Sequence, residues 1–317
     1  MNKNFVESVS KYRTYLMGVS IIMIMFYHNQ WVRDVVWLKP INFYGDFGVD
    51  VFLFVSGFGI FHSLRKNTIA IFFRNRFFRL MPLCIICGIF KYLLGHFILK
   101  DDACWSWQTF IGFELWYIKA IIILYCLSPL FYRYLSKYGF LMFIFGLIVA
   151  IGALQVTSNQ TLCLFLPRVP VYLLGMMVAN GMIKFSKRLL LFSFLFFIVA
   201  VLHRWSIIET WFILGNSYYT VLFLSIGILF LLWGLMQIYK LFDILKIKTL
   251  FDFSGKHSLE LYLVHQFIYF SIIPKYFSQV PPVLQFITAV LLSYASAYLV
   301  SALNAILTDL PKLRKHS

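Results

Sequence analysis

Few side chains in this sequence could do chemistry, and they stand out because nearly everything around them is apolar. His28 follows the run from Tyr15 to Tyr27, Asp50 lies in Gly48-Val49-Asp50-Val51-Phe52, and Lys91, Glu114, Lys119, Glu260 and His265 fall inside or beside other apolar runs. Imidazole is the side chain whose unperturbed pKa lies nearest neutrality, so a partly buried neutral His28 could take a proton from a hydroxyl. The competing reading is a histidine that hydrogen-bonds between helices for packing. Asp50, with Ser56, Gly48 and Gly57 nearby, needs a partner at such a depth, and His28 or a cation such as Arg168 could supply it. Arg74, Arg76 and Arg79 are interleaved with aromatics just ahead of an apolar run. Their guanidinium groups could fork onto phosphate oxygens of a soluble donor or of membrane lipids, or could snorkel and anchor the chain.

The elements that must position these groups are membrane spans. Of 317 residues, 61% are hydrophobic and 13% charged, against about 25% charged in a soluble domain, and the mean hydropathy is +0.82. A span needs about 20 mainly apolar residues. That ruler predicts an all-α, polytopic membrane protein of about ten helices in one domain over 1–317, with spans near 14–35, 47–64, 80–99, 113–132, 139–155, 164–183, 189–203, 217–239, 257–273 and 283–307. His28 then lies about 20 Å into a core about 30 Å thick, in the outer half. No cleavable signal, linker or internal repeat is evident, and the first apolar run reads as a retained span.

The net charge of +16 does not point to nucleic acid, because the basic residues cluster between apolar runs and not along one face. Sorted onto alternate sides, about twenty Lys and Arg fall with the N-terminus and about five opposite, which predicts a cell (inner or plasma) membrane protein with both termini cytoplasmic. Cys84, Cys87, Cys104, Cys126 and Cys163 lack the His partners and paired spacing of a zinc site and read mostly as buried free thiols, with no metal expected.

Taken in order, the polar motifs resemble the acyltransferase-3 family of membrane O-acyltransferases. They are a first-helix histidine after a glycine and an apolar run (Gly18 to His28), then Gly48-Val49-Asp50 with Ser56-Gly57-Phe58, then Phe73-x-x-Arg76-x-x-Arg79-Leu80-x-Pro82. Downstream, Leu115-Trp116-Tyr117 with Tyr125 and Pro129, and Gly255-Lys256 through Tyr262-Leu263 to His265, are similar to the family's central and late segments. The likeness runs from about 13 to 266. It departs at Met17, where the family carries an arginine; Arg13, one turn earlier, lies on nearly the same helix face.

The resemblance implies transfer of an acyl group, most often acetyl, from cytoplasmic acyl-coenzyme A to a sugar hydroxyl of an extracytoplasmic or lipid-linked glycan. Residue types and positions divide the work accordingly. His28 is the candidate general base, with Asp50 orienting or charge-balancing it. Arg74, Arg76 and Arg79, with Arg13 in the displaced role, are candidate ligands for the donor's phosphates. Glu114, Trp116 and Tyr117 are candidates for the acceptor pocket, with Tyr262 and His265 behind them. The alternative class is a transporter or flippase for glycans or lipid-linked sugars, which would need a second helix arrangement around a midplane site. A glycan polymerase would call for a large outer loop. Oligomeric state is not legible.

Overall fold

The computed structural model describes residues 2–29, 39–100, 106–204, 218–244 and 248–313, and these are helical almost throughout, with no strand among them. A backbone in hydrocarbon must satisfy its own amide and carbonyl groups, and the helix does so within one segment. In chain order the elements are α1 (Asn2–Lys11), α2 (Arg13–His28), α3 (Lys39–Phe43), α4 (Phe47–Lys66), α5 (Ile69–Leu93, continued by a π-helical turn, Leu94–Leu99), α6 (Trp107–Phe110) and α7 (Trp116–Val156). They continue with α8 (Gln160–Phe165), α9 (Val169–Ala179), α10 (Lys187–Arg204), α11 (Tyr219–Ile244), α12 (Lys248–Lys256), α13 (Ser258–Phe267, with a second π turn, Ile268–Ile272), α14 (Ile273–Tyr276) and α15 (Pro282–Leu313).

Among the described residues, six helices are long and apolar enough to cross a membrane: Phe47–Lys66, Ile69–Leu99, Trp116–Val156, Gln160–Ala179, Tyr219–Tyr239 and Pro282–Leu307. The expected count of about ten therefore contracts to six by this measure. Four physical reasons account for the difference. The expected 189–203 span is α10, an 18-residue helix that carries Lys187, Arg188 and Arg204 at its ends and so has too short an uncharged stretch to count. The first apolar run yields a helix of only 16 residues ending at His28, and the rest of the expected 14–35 span lies outside the described residues. The late run is broken into α13, a π turn and α14. The segments expected at 113–132 and 139–155 are one helix of 41 residues, because Arg133 and Lys137 between them are charged yet good helix formers, as is the buried Leu135.

This long helix cannot be straight. Ser128 hydrogen-bonds the hydroxyl of Tyr172 at 2.6 Å, while a Cβ at Gly146 would lie 3.5 Å from Pro170. A straight helix would separate positions 128 and 146 by about 27 Å, too far for both to meet neighbouring residues of α9. Between them Ser136 meets Asn180 and Gly139 meets Met182, so α7 bends near the C-terminal end of α9 and both arms reach its first turn.

The centre of the molecule is held by close helix crossings at glycine. A Cβ on Gly57 of α4 would stand 2.2 Å from the carbonyl oxygen of Tyr172 on α9, and one on Gly175 of α9 would stand 2.2 Å from that of Phe54 on α4. Gly18 of α2 and Gly255 of α12 are paired in the same reciprocal way, through Phe251 and Thr14. Where apolar burial gives little net drive, small residues let backbones gain van der Waals contact. The outward faces of α7 and α15 carry exposed Phe145, Ile148, Leu291 and Ile306, as lipid-facing surfaces should.

Of the cysteines, Cys84, Cys87 and Cys163 are buried free thiols as expected, Cys126 is exposed on α7, and Cys104 lies outside the described residues. So do the basic residues Arg33, Lys246, Arg314 and Lys315 used in the topological count.

The glycine crossings give a stability prediction. Gly175→Ala and Gly57→Ala should each cost about 1–3 kcal/mol or more, as overpacking against an immovable carbonyl does. Gly152→Ala, where nothing lies within 4 Å of the new Cβ, should be neutral or slightly stabilising. Thermal unfolding of the detergent-solubilised protein checks this; equal melting of Gly175→Ala and wild type would rule out the close α4–α9 contact.

Candidate active site

α2 sets the scale of the site. Arg13 is its first residue and His28 its last, about 22 Å apart at helix rise. The C-terminal end of a helix leaves carbonyls without intrahelical partners, and here the buried side-chain amide of Asn42 donates to the carbonyls of Phe26, Tyr27 and Asn29 at 2.5, 3.2 and 2.9 Å. Asn42 thus fixes the helix end that presents His28. The close approach of α4 fixes it further, since a Cβ on Gly48 would stand 2.5 Å from the carbonyl of Ser20.

His28 sits at one end of a hydrogen-bonded series. Its Nδ1 lies 2.9 Å from Nε2 of His265, and Nδ1 of His265 lies 2.9 Å from the carbonyl of Leu261. On its other side Nε2 of His28 meets the amide nitrogen of Gln266 at 3.2 Å. His28 and Gln266 line a cavity of about 310 Å³, together with Asp46, Trp116, Arg168 and Arg204. That is the lower end of the range for small-molecule sites, enough for a sugar ring.

A charge network forms one wall of this cavity. Arg168 Nε lies 3.4 Å from Asp50 Oδ1 and its Nη2 lies 4.0 Å from Asp46 Oδ2; Arg204 Nη2 lies 3.5 Å from the same Asp46 oxygen. Arg168 also donates to the carbonyl of Leu164 at 2.8 Å and stacks over Trp116 at 5.3 Å. Asp46 and Asp50 stand at the N-terminal end of α4, where the helix dipole favours negative charge. Asp50 is therefore committed to Arg168, one of the two partners its depth called for, and is not joined to His28.

At the other end of α2 a second, narrow cavity of about 60 Å³ is lined by Arg13, Met17, Arg76, Arg79, Ser56 and Tyr117. Arg13 and Met17 share its wall, and the Arg13 guanidinium lies against Gly59 of α4, where a Cβ would come within 2.6 Å of Nη2. Because α5 begins at Ile69, eleven residues before the expected span, the arginine cluster is inside a helix and not ahead of one. Arg76 and Arg79, three apart, then share a face, while Arg74, two before Arg76, points to the far side and stands exposed. Arg76 stacks on Phe72 and Tyr125 at 5.4 and 5.7 Å.

Tyr262 lines both cavities. Its ring packs on Tyr117 at 4.9 Å and on His265 at 5.7 Å. Of the residues expected around the acceptor, Trp116 faces the larger cavity, while the next residue, Tyr117, faces the narrower one. Glu114 faces neither: it takes a salt bridge from Lys91 and a hydrogen bond from Thr109 at 3.1 Å. His265 is fully buried beside His28 and lines neither of these two cavities.

Asp46, Arg204, Gln266 and Asn42 were not singled out from the sequence. Asp46 had a readable signal, since Asp46 and Asp50 are spaced i, i+4 and share a helix face. Arg204 counted only as an outer-side charge, and Gln266 and Asn42 carry no charge to mark them.

The family model described as an acyltransferase domain, that of the acyltransferase-3 family, matches residues 14–302. No curated protein and no solved structure matches the chain. The family match takes in the larger cavity, the lining of the narrow one except Arg13, the histidine pair and the arginine face of α5, and it covers most of the chain. This chain belongs to the acyltransferase-3 family and is a membrane acyltransferase.

Proposed function

We propose that the chain moves an acyl group, most simply acetyl, from cytoplasmic acyl-coenzyme A onto a hydroxyl of a glycan or lipid-linked sugar on the opposite side of a cell membrane. The observation that carries this reading is the pair of cavities meeting at Tyr262, one walled by Arg13, Arg76 and Arg79 and the other by His28. The narrow cavity has room for about two waters, so a nucleotide stays at its mouth, beside the exposed Arg79, and only a thin arm enters. Guanidinium groups there suit the donor's phosphates. The larger cavity suits a hydroxyl-rich acceptor: Asp46 Oδ1 and Arg204 Nε have no hydrogen-bond partner among the described residues, and a buried polar atom left unmet costs about 1–3 kcal/mol.

In this reaction Nε2 of His28 takes the proton of the acceptor hydroxyl as its oxygen attacks the thioester carbonyl. A carbon–oxygen bond forms, the carbon–sulfur bond breaks, and the departing sulfur takes the proton back from the imidazolium. Arg168, Asp50, Asp46 and Arg204 hold the acceptor cavity in shape. In this reading the mouth of the narrow cavity and both termini lie on the cytoplasmic side, which the basic-residue count supports. A cysteine at Asn67, in the turn between α4 and α5, should then be silent to an impermeant reagent added outside intact cells, and labelling there would reverse the orientation.

The central test is acyl transfer by purified protein from radiolabelled acetyl-coenzyme A. His28→Ala and His28→Gln should both lose about 10²-fold or more in turnover while folding and binding donor, because a general base contributes about 10²–10⁴-fold. Near-wild-type transfer by His28→Gln would remove His28 as the base.

The two faces of α5 separate in a second measurement. Arg76→Ala and Arg79→Ala should raise the donor KM about tenfold or more, in line with about 1.5–3 kcal/mol for a charge-assisted contact, and Arg74→Ala should leave it unchanged. Gly59→Ala, which pushes the Arg13 guanidinium aside, should raise the donor KM with little effect on melting. Equal effects from Arg74 and Arg76 would return the cluster to membrane anchoring.

A further inference from the structure

We propose that His265 is a positioning residue that fixes the tautomer of His28 and leaves Nε2, on the cavity side, as its basic nitrogen. This rests on the reading of His28 as the base. The argument follows the direction of each hydrogen bond. The carbonyl of Leu261 can only accept, so Nδ1 of His265, 2.9 Å away, carries a proton. In the neutral ring its Nε2 is then a lone pair. Nδ1 of His28, 2.9 Å from that lone pair, must donate, which leaves His28 Nε2 without a proton. The amide nitrogen of Gln266, a donor 3.2 Å from that atom, agrees with this assignment. An acceptor hydroxyl would take the place of the Gln266 amide.

The alternative state, an imidazolium at His265, would set its Nε2–H against Nδ1–H of His28 or, with His28 in the other tautomer, set His28 Nε2–H against the Gln266 amide, and it would place a charge at a site with no solvent exposure, a costly burial. The His265 ring also has little freedom to turn, being held by its own helix at Leu261 and packed on Tyr262 and Tyr269, each at 5.7 Å. When His28 takes up a proton, its bond to His265 becomes charge-assisted and so stronger. The orienting group here is neutral, whereas hydrolase triads use a carboxylate. That suits a membrane interior, where a further buried anion would need its own counter-ion, and Asp46 and Asp50 already face Arg168.

Two measurements test the proposal. In the first, His265→Phe keeps the ring but removes the acceptor and should lower kcat about ten- to a hundredfold with the donor KM unchanged. His265→Gln can donate to Leu261 and accept from His28 and should recover most of that loss. The double variant His28→Ala/His265→Phe should be no slower than His28→Ala alone, since groups acting as a unit are non-additive. Wild-type kcat in His265→Phe, or losses that multiply in the double variant, overturns the proposal. An inactive His28→Ala beside a fully active His265→Phe removes only the role of His265, whereas a fully active His28→Ala removes the base and the positioning role together. The second measurement needs neither activity nor a folded His265 variant: nitrogen-15 spectra of histidine-labelled wild-type protein, with His28 assigned by its loss in His28→Ala. A protonated Nδ1 and bare Nε2 at His28 are expected, and a protonated Nε2 with bare Nδ1 overturns the assignment.

Discussion

Asp50 and Arg168 are both buried almost completely, and a charge in a membrane interior persists only with a partner. Much of the structure around the larger cavity follows from that constraint. Holding Arg168 against Asp50 and Asp46 joins the start of α4 to the turn before α9, and Arg204 brings in the end of α10. Removing one member of such a pair typically costs about 3–5 kcal/mol, because the other is left uncompensated. The same groups wall the larger cavity, so the interaction that locks these helix ends together also gives the cavity its polar lining.

The histidine pair answers the same constraint differently. A base that must cycle between neutral and cationic forms cannot sit in a permanent ion pair without losing its basicity range. His28 hydrogen-bonds the neutral side chains of His265 and Gln266, while Arg168 and Arg204 face Asp46 and Asp50. This division, permanent charge with permanent charge and a titrating ring with neutral hydrogen-bonding groups, explains why Asp50 is drawn to Arg168 and not to His28.

The membrane class, most span positions and the residues worth suspecting could be read from the sequence, because apolar runs with isolated ionisable groups are unambiguous in hydropathy. What could not be read depends on local geometry. The bend in α7 is invisible to hydropathy, which sees Arg133 to Lys137 as a loop, whereas those residues stay helical. Whether Arg74 belongs with Arg76 and Arg79 depends on where α5 begins, and an eleven-residue error in that start reverses the answer by changing which positions share a face. His265 read as a pocket residue because motif order says nothing about which side of a helix faces the cavity. Asn42, neutral and in a short helix, fixes the end of α2 through three carbonyls that no residue pattern announces.

The two cavities impose a last requirement on any reaction run between them. A thioester that reaches the larger cavity is exposed to water as well as to acceptor, so the passage must be closed except when the arm fills it. Tyr117 and Tyr262 meet that requirement by position. Their rings are packed together at 4.9 Å and buried, and Tyr262 alone belongs to both cavity walls among the described residues. Tyr262 also lies three residues before His265 on α13, hence on nearly the same helix face. In the proposed reaction an arm that displaced the Tyr262 ring would press on His265, the residue proposed to orient the base, so that opening of the passage and alignment of His28 would be joined through a single turn of α13.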